Sequence, residues 1–306
     1  MSARLAEGSA LARGSVSVVI ASPREPALAL ACLRSLLPQA HASGAPVILA
    51  RTGDAAAVVA RLAEGGAPTA GDIVPVDAAP GASLPEVRGA GLAAVRTPYA
   101  ALVEDHCVAA PGWLEALSTT AAGTTADVVG GGMGNAERSR AVDWAAYFAE
   151  YGFFMGTAAA DAAPLATGAN VLYGPRALPL AARWASDGLW EDVIHARLAA
   201  SGCDLTVTPA AVMLQNQRYA VGAFCLDRYR HGFAYARVRL RERGGAGRWL
   251  RACTTPLLPA LLACRLWAKV RPGERAAFRR ALPLTLVFLS AWSAGEMMGY
   301  VCGRAS

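Results

Sequence analysis

The chain has 306 residues, 54% of them hydrophobic and only 17% charged, with a formal net charge of +6. That balance excludes a disordered chain, which shows the opposite bias, and the length suits one large or two modest domains. The positive charge is almost all arginine, Lys269 being the single lysine. No nucleic-acid motif or aromatic–basic ladder accompanies it, so nucleic acid is not an expected partner. Many of the arginines fall between Arg228 and Arg280, beside the most apolar segments, which directs them toward acidic headgroups or substrate phosphates. The seven cysteines are scattered without a CxxC pair, so neither a zinc site nor a disulfide framework is expected, and the body reads as cytoplasmic. Residues 1–15 form a polar, alanine- and glycine-rich tail without an apolar signal core.

From Val16 the chain reads as alternating strand and helix. Val16 to Ile20 is a β-branched run, and Leu30, Leu33, Leu36 and Leu37 then recur at helical spacing up to Pro38. Strands follow at Val47 to Leu49, Ile73 to Val76 and Ala100 to Val103, with helices around Ala55 to Leu62 and Glu86 to Val95 between them. Short connections and this alternation predict an α/β domain with a mainly parallel sheet. Ligands of such sheets sit beyond the carboxyl ends of the strands, and Glu104-Asp105-His106 stands at one of those ends. Later, Asp127 to Val129 reads as a strand running into Gly130-Gly131-Gly132, which is expected to make a tight turn rather than a phosphate cradle. Trp144 to Phe154 is rich in aromatics. Trp190-Glu191-Asp192 opens a helix burying Ile194 and Leu198, and Leu205 to Val207 is one more strand. Residues 16–243 read as the catalytic domain and 244–306 as a separate C-terminal region, joined at Gly244-Gly245-Ala246-Gly247.

An ordered series of segments resembles the family 2 glycosyltransferases, inverting enzymes of the Rossmann-like GT-A fold. Ser17 to Ile20 with Cys32 to Gln39 is similar to the family's opening strand and helix, and Arg88-Gly89-Ala90-Gly91 to its arginine-asparagine-x-glycine segment. Val103 to His106 followed by Pro111-Gly112-Trp113-Leu114 resembles the acidic metal motif and the helix after it. Gly168-Ala169-Asn170 with Tyr173 and Arg176 resembles the acceptor-side element, and Glu191-Asp192 the pair that supplies the catalytic base.

The resemblance implies a nucleotide-sugar donor that leaves as a diphosphate, with a divalent ion steadying the charge that builds on the phosphates. Where the family usually has aspartate-x-aspartate, this chain has Glu104-x-His106. His106 is then the direct metal ligand, Glu104 serves the ribose or a metal-bound water, and Asp105 orients its neighbours. Imidazole favours Mn²⁺, with a water-mediated Mg²⁺ site as the alternative. Asp192 is the expected base, with Glu191 beside it. Donor-binding positions are Ala21, Ser22, Glu25, Asp54, Arg88, Glu104, Asp105, Gly168 and Asn170. The second strand continues into Arg51-Thr52-Gly53-Asp54 instead of ending in the family's base-reading aspartate, so either Asp54 reads the base from a shifted position or recognition differs. His231, within Arg228 to Gly232, either caps the diphosphate or belongs to a solvated basic face, and His195 reads as an ordinary helix residue.

Ala281 to Cys302 is a nearly unbroken apolar run of 22 residues, about 33 Å as a helix and long enough to span a bilayer. Pro256 to Trp267 is shorter and interrupted. Two full spans would put Lys269, Arg271, Arg275, Arg279 and Arg280 outside, against the positive-inside rule, so an interfacial first segment and one span or membrane-dipping helix are expected. The enzyme is thus expected at the cytoplasmic face of the membrane, acting on a lipid-linked or glycan acceptor. Two rival readings are a catalytically silent scaffold on the same fold and a nucleotidyltransferase. The latter needs a glycine- and lysine-rich loop where Ala21-Ser22-Pro23-Arg24-Glu25 stands.

Overall fold

The computed structural model describes residues 10–23, 25–64, 73–155 and 166–303; residues 1–9 of the tail, Arg24 of the first loop and 304–306 of the C-terminal region lie outside it. The described chain divides into two compact units, Met1–Gly134 with Gly156–Asn216, and Asn135–Met155 with Gln217–Ser306.

The first unit is built on one eight-stranded sheet of order β3-β2-β1-β4-β7-β6-β8-β5. Its strands are β1 Val16–Ser22, β2 Val47–Thr52, β3 Ile73–Ala78, β4 Tyr99–Glu104, β5 Cys107–Ala109, β6 Val128–Asn135, β7 Asn170–Tyr173 and β8 Leu205–Gln215. β3, β2, β1 and β4 run parallel, and β7 turns antiparallel against β4. Every residue of β1 is buried, as expected of a central parallel strand covered on both faces. Helices α1 Pro26–Ser43, α2 Ala55–Glu64, α3 Leu84–Ala93, α4 Trp113–Ala122, α6 Leu178–Ser186 and α7 Glu191–Ala200 complete the unit.

Two local expectations need correction. α1 does not stop at Pro38 but runs on to Ser43 and ends on a left-handed Gly44. The proline removes one backbone bond, yet Leu33, Leu36, Leu37 and Ala40 continue a single buried face past it. Gly130-Gly131-Gly132 is not a turn but the buried middle of β6. A β-carbon on Gly131 would overlap the Asn170 side chain and the carbonyl of Ala211, so glycine here admits a close approach of neighbouring groups.

In α3 the capping box of Ser83 and Glu86 fixes the helix start, the Glu86 carboxylate accepting from both the Ser83 backbone and its hydroxyl. Gly91 sits against Val19 and Ala50 of the sheet, and Gly89 against Ser186 of α6. The two glycines bring the helix close to both neighbours and leave Arg88 buried between them.

The second unit is helical: α5 Ala141–Tyr151, α8 Val221–Arg243, α9 Arg248–Thr254, α10 Leu258–Lys269 and α11 Arg275–Cys302, with short 3-10 turns before α10 and α11. The expected boundary at 243 falls inside this unit, at the end of α8. Aromatic contacts tie the helices together: Phe148 of α5 meets Phe278 at 4.9 Å, and Phe224 of α8 meets Phe288 at 4.6 Å. Among the described residues, Pro272–Cys302 is the one helical segment long and apolar enough to cross a membrane, by length and composition.

Candidate active site

The carboxyl ends of the parallel strands bring the predicted residues into register. Ala21 pairs with Glu104, Ser22 with Arg51, and Arg51 with Asp77. β7 enters this edge from the opposite direction, with Asn170 beside Val103.

Arg88 is the centre of the site. Reaching up from α3, it donates to Glu104 Oε1 at 2.5 Å and to Glu191 Oε2 at 2.6 Å. One buried guanidinium thus joins the acidic strand end to the start of α7, 16 and 103 positions away. Trp190 lies over it, with the ring centroid 5.6 Å from Cζ. Gly168 lies against it from another side, where a β-carbon would overlap the guanidinium. Four separate segments of the expected series therefore meet at one cation. Burial works against the charge of Arg88, but Glu191 and Glu104 outweigh it and hold the group firmly protonated. Burial likewise opposes the Glu191 carboxylate, and the charge and hydrogen bond of Arg88 hold its pKa below the usual range.

A second chain of polar contacts runs along the strand ends. Asp54 accepts from Arg51 Nε at 2.8 Å, Arg51 Nη1 donates to Ser22 Oγ at 2.6 Å, and Ser22 Oγ donates to Asp105 at 2.9 Å. Asp54 has a left-handed backbone, φ 57°, the one such residue besides glycine among those described. Asp77 accepts from the Ala55 backbone at 3.0 Å and so caps α2.

The remaining predicted residues fall in distinct settings. His106 is fully buried, with Nδ1 3.5 Å from Glu104 and 3.7 Å from Asp105. Asn170 donates to the carbonyls of Gly132 and Ala211 at 2.8 and 2.9 Å and accepts from Trp113 Nε1 at 2.8 Å. Both of its amide hydrogens are therefore used within the protein, and it acts as a strut between strands. Ala21 is buried and its carbonyl accepts from the Asp105 backbone at 3.1 Å; Glu25 is exposed just before α1. Asp192 is exposed in the first turn of α7, one residue beyond the anchored Glu191. Arg228 and His231 lie in the helical unit, where Arg228 pairs with Glu150 at 3.1 Å and His231 packs on Trp292.

Two of the acidic side chains at this edge are each held through one carboxylate oxygen. Glu104 is committed to Arg88 and Asp105 to Ser22. Among the described residues, no group of three His, Cys, Asp or Glu side chains is arranged to hold one.

Two contributors escaped the sequence reading. Arg51 stands at a strand end, where the β-propensity of its neighbours hides it. His195 lies one helical turn after Glu191, with Nε2 3.0 Å from the Tyr173 hydroxyl. Burial, aided by the charge of Arg88 and opposed by Glu191, pushes its pKa down to about 4, so it is neutral at pH 7. The Glu-x-x-x-His spacing on one helix face was the available signal.

A mixed, mainly parallel sheet with its polar side chains gathered at the carboxyl edge defines the class: an α/β nucleotide-sugar transferase fold of the GT-A type. Residues 12–233 match the model of "Glycosyltransferase like family 2", and the chain belongs to that family. Among solved structures it is similar to the mannosyltransferase PcManGT from Pyrobaculum calidifontis, solved with GDP-Man and Mn²⁺, at 14% identity and a TM-score of 0.55 over 95% of this chain and 87% of that one. It is also similar to glucosyl-3-phosphoglycerate synthase from Mycobacterium tuberculosis, solved with Mn²⁺ and UDP-glucose. Identity there is 15% and the TM-score 0.46, over 71% of this chain and 77% of that one. No curated protein matches the chain.

Proposed function

We propose that this glycosyltransferase moves a sugar, with inversion, from a nucleotide-diphosphate donor to a membrane-associated acceptor, either lipid-linked or a glycan. The observation that carries the proposal is the Glu104–Arg88–Glu191 bridge, because it unites the donor-side and base-side segments around one buried charge. Ser22, Arg51 and Asp54 form the edge on which the nucleotide lies, with Asp105 behind them.

The paired acids divide the work. Glu191 is a poor base, since its tie to Arg88 lowers its affinity for a proton. It anchors the start of α7 instead. Asp192, exposed beside it in the first turn of α7, takes the proton from the attacking hydroxyl. A divalent ion, Mn²⁺ or Mg²⁺, belongs to this proposal as a companion of the donor diphosphate. PcManGT, solved with both GDP-Man and Mn²⁺, supports the pairing. In this reading the enzyme works at the cytoplasmic face of the membrane, attached through its C-terminal region.

A panel of nucleotide-sugars, measured for binding by calorimetry and for metal-stimulated hydrolysis, tests the proposal. One donor bound and hydrolysed in preference to the others is the expected result. A protein that binds none of them, with or without Mn²⁺, is the silent scaffold.

A further inference from the structure

The helical unit carries an apolar surface on its outside. α9, α10 and the turn between them are fixed to the unit by one inner row: Ala252, Thr255, Ala263 and Leu266 are buried, and Leu266 packs against Gly152, just after α5. The opposite face is largely apolar, with Arg265 the charged residue exposed on it. Leu257, Ala260, Leu261, Cys264, Trp267 and Ala268 recur at intervals of three or four and all are exposed, Leu257 at 68% and Leu261 at 43%. Trp249 and Leu250 of α9 extend the exposed apolar surface at 56% and 70%. A helix on a water-facing surface ordinarily turns its polar residues outward. This one turns mostly apolar residues outward.

Charge selects the occupant. From Arg248 to Gly303 the chain has eight basic and two acidic side chains, a net +6 that equals the formal charge of the whole protein. One of the two acids, Glu296, is buried with Arg239, Tyr300 and Trp292, which leaves the outer surface still more positive. Arg248 lies over the exposed ring of Trp249, and Arg275 over that of Trp267. Two copies of the chain would bring like charges together on this face. An apolar row with tryptophan and arginine at its margins matches a surface that is apolar within and anionic at the boundary.

α11, the candidate span, is placed differently. Its second half is paired along its length with α8: Gly295 lies on the backbone of Tyr229, Gly299 on Phe233 and Ala236, and Gly303 on Leu240. The outer side of α8 exposes Asp227, Arg230, Arg237, Arg241 and Glu242. Carrying α11 through hydrocarbon would carry those charges with it, and each is strongly disfavoured there.

We propose that the outer face of α9 and α10 docks on an anionic lipid bilayer, lying in its interface, while α11 stays within the protein as the core helix of its unit. This deepens the membrane attachment given above and rests on it.

Flotation of the full-length protein with vesicles tests it without any donor or turnover, so it fails or succeeds independently of the transferase reading. Vesicles of mixed phosphatidylglycerol and phosphatidylcholine are compared with phosphatidylcholine alone. The wild type is expected to float with the anionic vesicles and on the order of tenfold less with neutral ones. Leu257→Gln/Leu261→Gln should weaken anionic binding by on the order of tenfold or more, since two exposed leucines lose their burial in the interface. Val287→Gln, on the exposed side of α11, should bind as the wild type does; circular dichroism confirms the fold of each variant. Loss of binding in Val287→Gln with retention in the double variant overturns the proposal in favour of α11. Equal flotation with neutral and anionic vesicles, no flotation at all, or a dimer broken by the double variant also overturns it.

Discussion

The guanidinium of Arg88 lies so close to the α-carbon of Gly168 that any side chain at position 168 would occupy the same space. Gly168 therefore leaves room to seat an arginine from α3, and the arginine in turn holds Glu104 and Glu191.

Gly168→Ala forces that guanidinium to move. Overpacking of this kind costs about 1–3 kcal/mol, and loss of the cation between two sheltered carboxylates adds to it, because a broken buried pair leaves charge uncompensated. Urea denaturation should show a lower midpoint with an unchanged slope, and donor turnover should fall. Wild-type stability together with wild-type turnover would remove Arg88 from the centre of the site.

His195 gives the protein a pH signature. Its folded pKa of about 4 lies below the 6.5 of free imidazole, chiefly through burial, with Arg88, Glu191 and the Tyr173 hydroxyl around it. Below pH 6.5 the unfolded chain takes up a proton that the folded protein refuses until about pH 4. Stability is thus full above 6.5 and declines as pH falls through this window, by up to about 3 kcal/mol. Urea midpoints between pH 7.5 and 4.5 should fall more steeply in the wild type than in His195→Gln. Parallel profiles would place the imidazole in water.

In the proposed function the divalent ion arrives with the donor diphosphate. Mn²⁺ titrated into the free protein and followed by electron paramagnetic resonance should reveal no stoichiometric site, and one should appear when a nucleoside diphosphate is added. A tight site in the free protein, removed by His106→Ala, would instead make His106 a resident ligand. Because His106 is fully buried, that variant needs a check of its fold.

Much of the first unit was legible in the chain. The apolar runs that became β1 and β4 are buried on both faces, and Glu104 and Asp105 at the end of β4 had to fall at the carboxyl edge. Ambiguity entered where a residue's meaning depends on a distant partner. Gly131 looked like a turn because the close approach of Asn170 and Ala211 comes from other strands. The carboxylate partners of Arg88 were hidden because nothing local shows that Glu191, 103 positions on, folds back onto it. The apolarity of α11 was plain, but its pairing with the charged helix α8 is set by Gly295 and Gly299, whose role only the packing reveals.

In the proposed transfer Asp192 is the base and Glu191 the anchor. The most direct measurement is turnover of the preferred nucleotide-sugar by the wild type and by Asp192→Asn, with donor affinity measured on both. Turnover of Asp192→Asn should fall by a factor on the order of 10² to 10⁴, since the amide keeps the shape but accepts no proton, and its donor Kd should barely move. Equal losses of affinity and turnover, or unchanged turnover in Asp192→Asn, would contradict it.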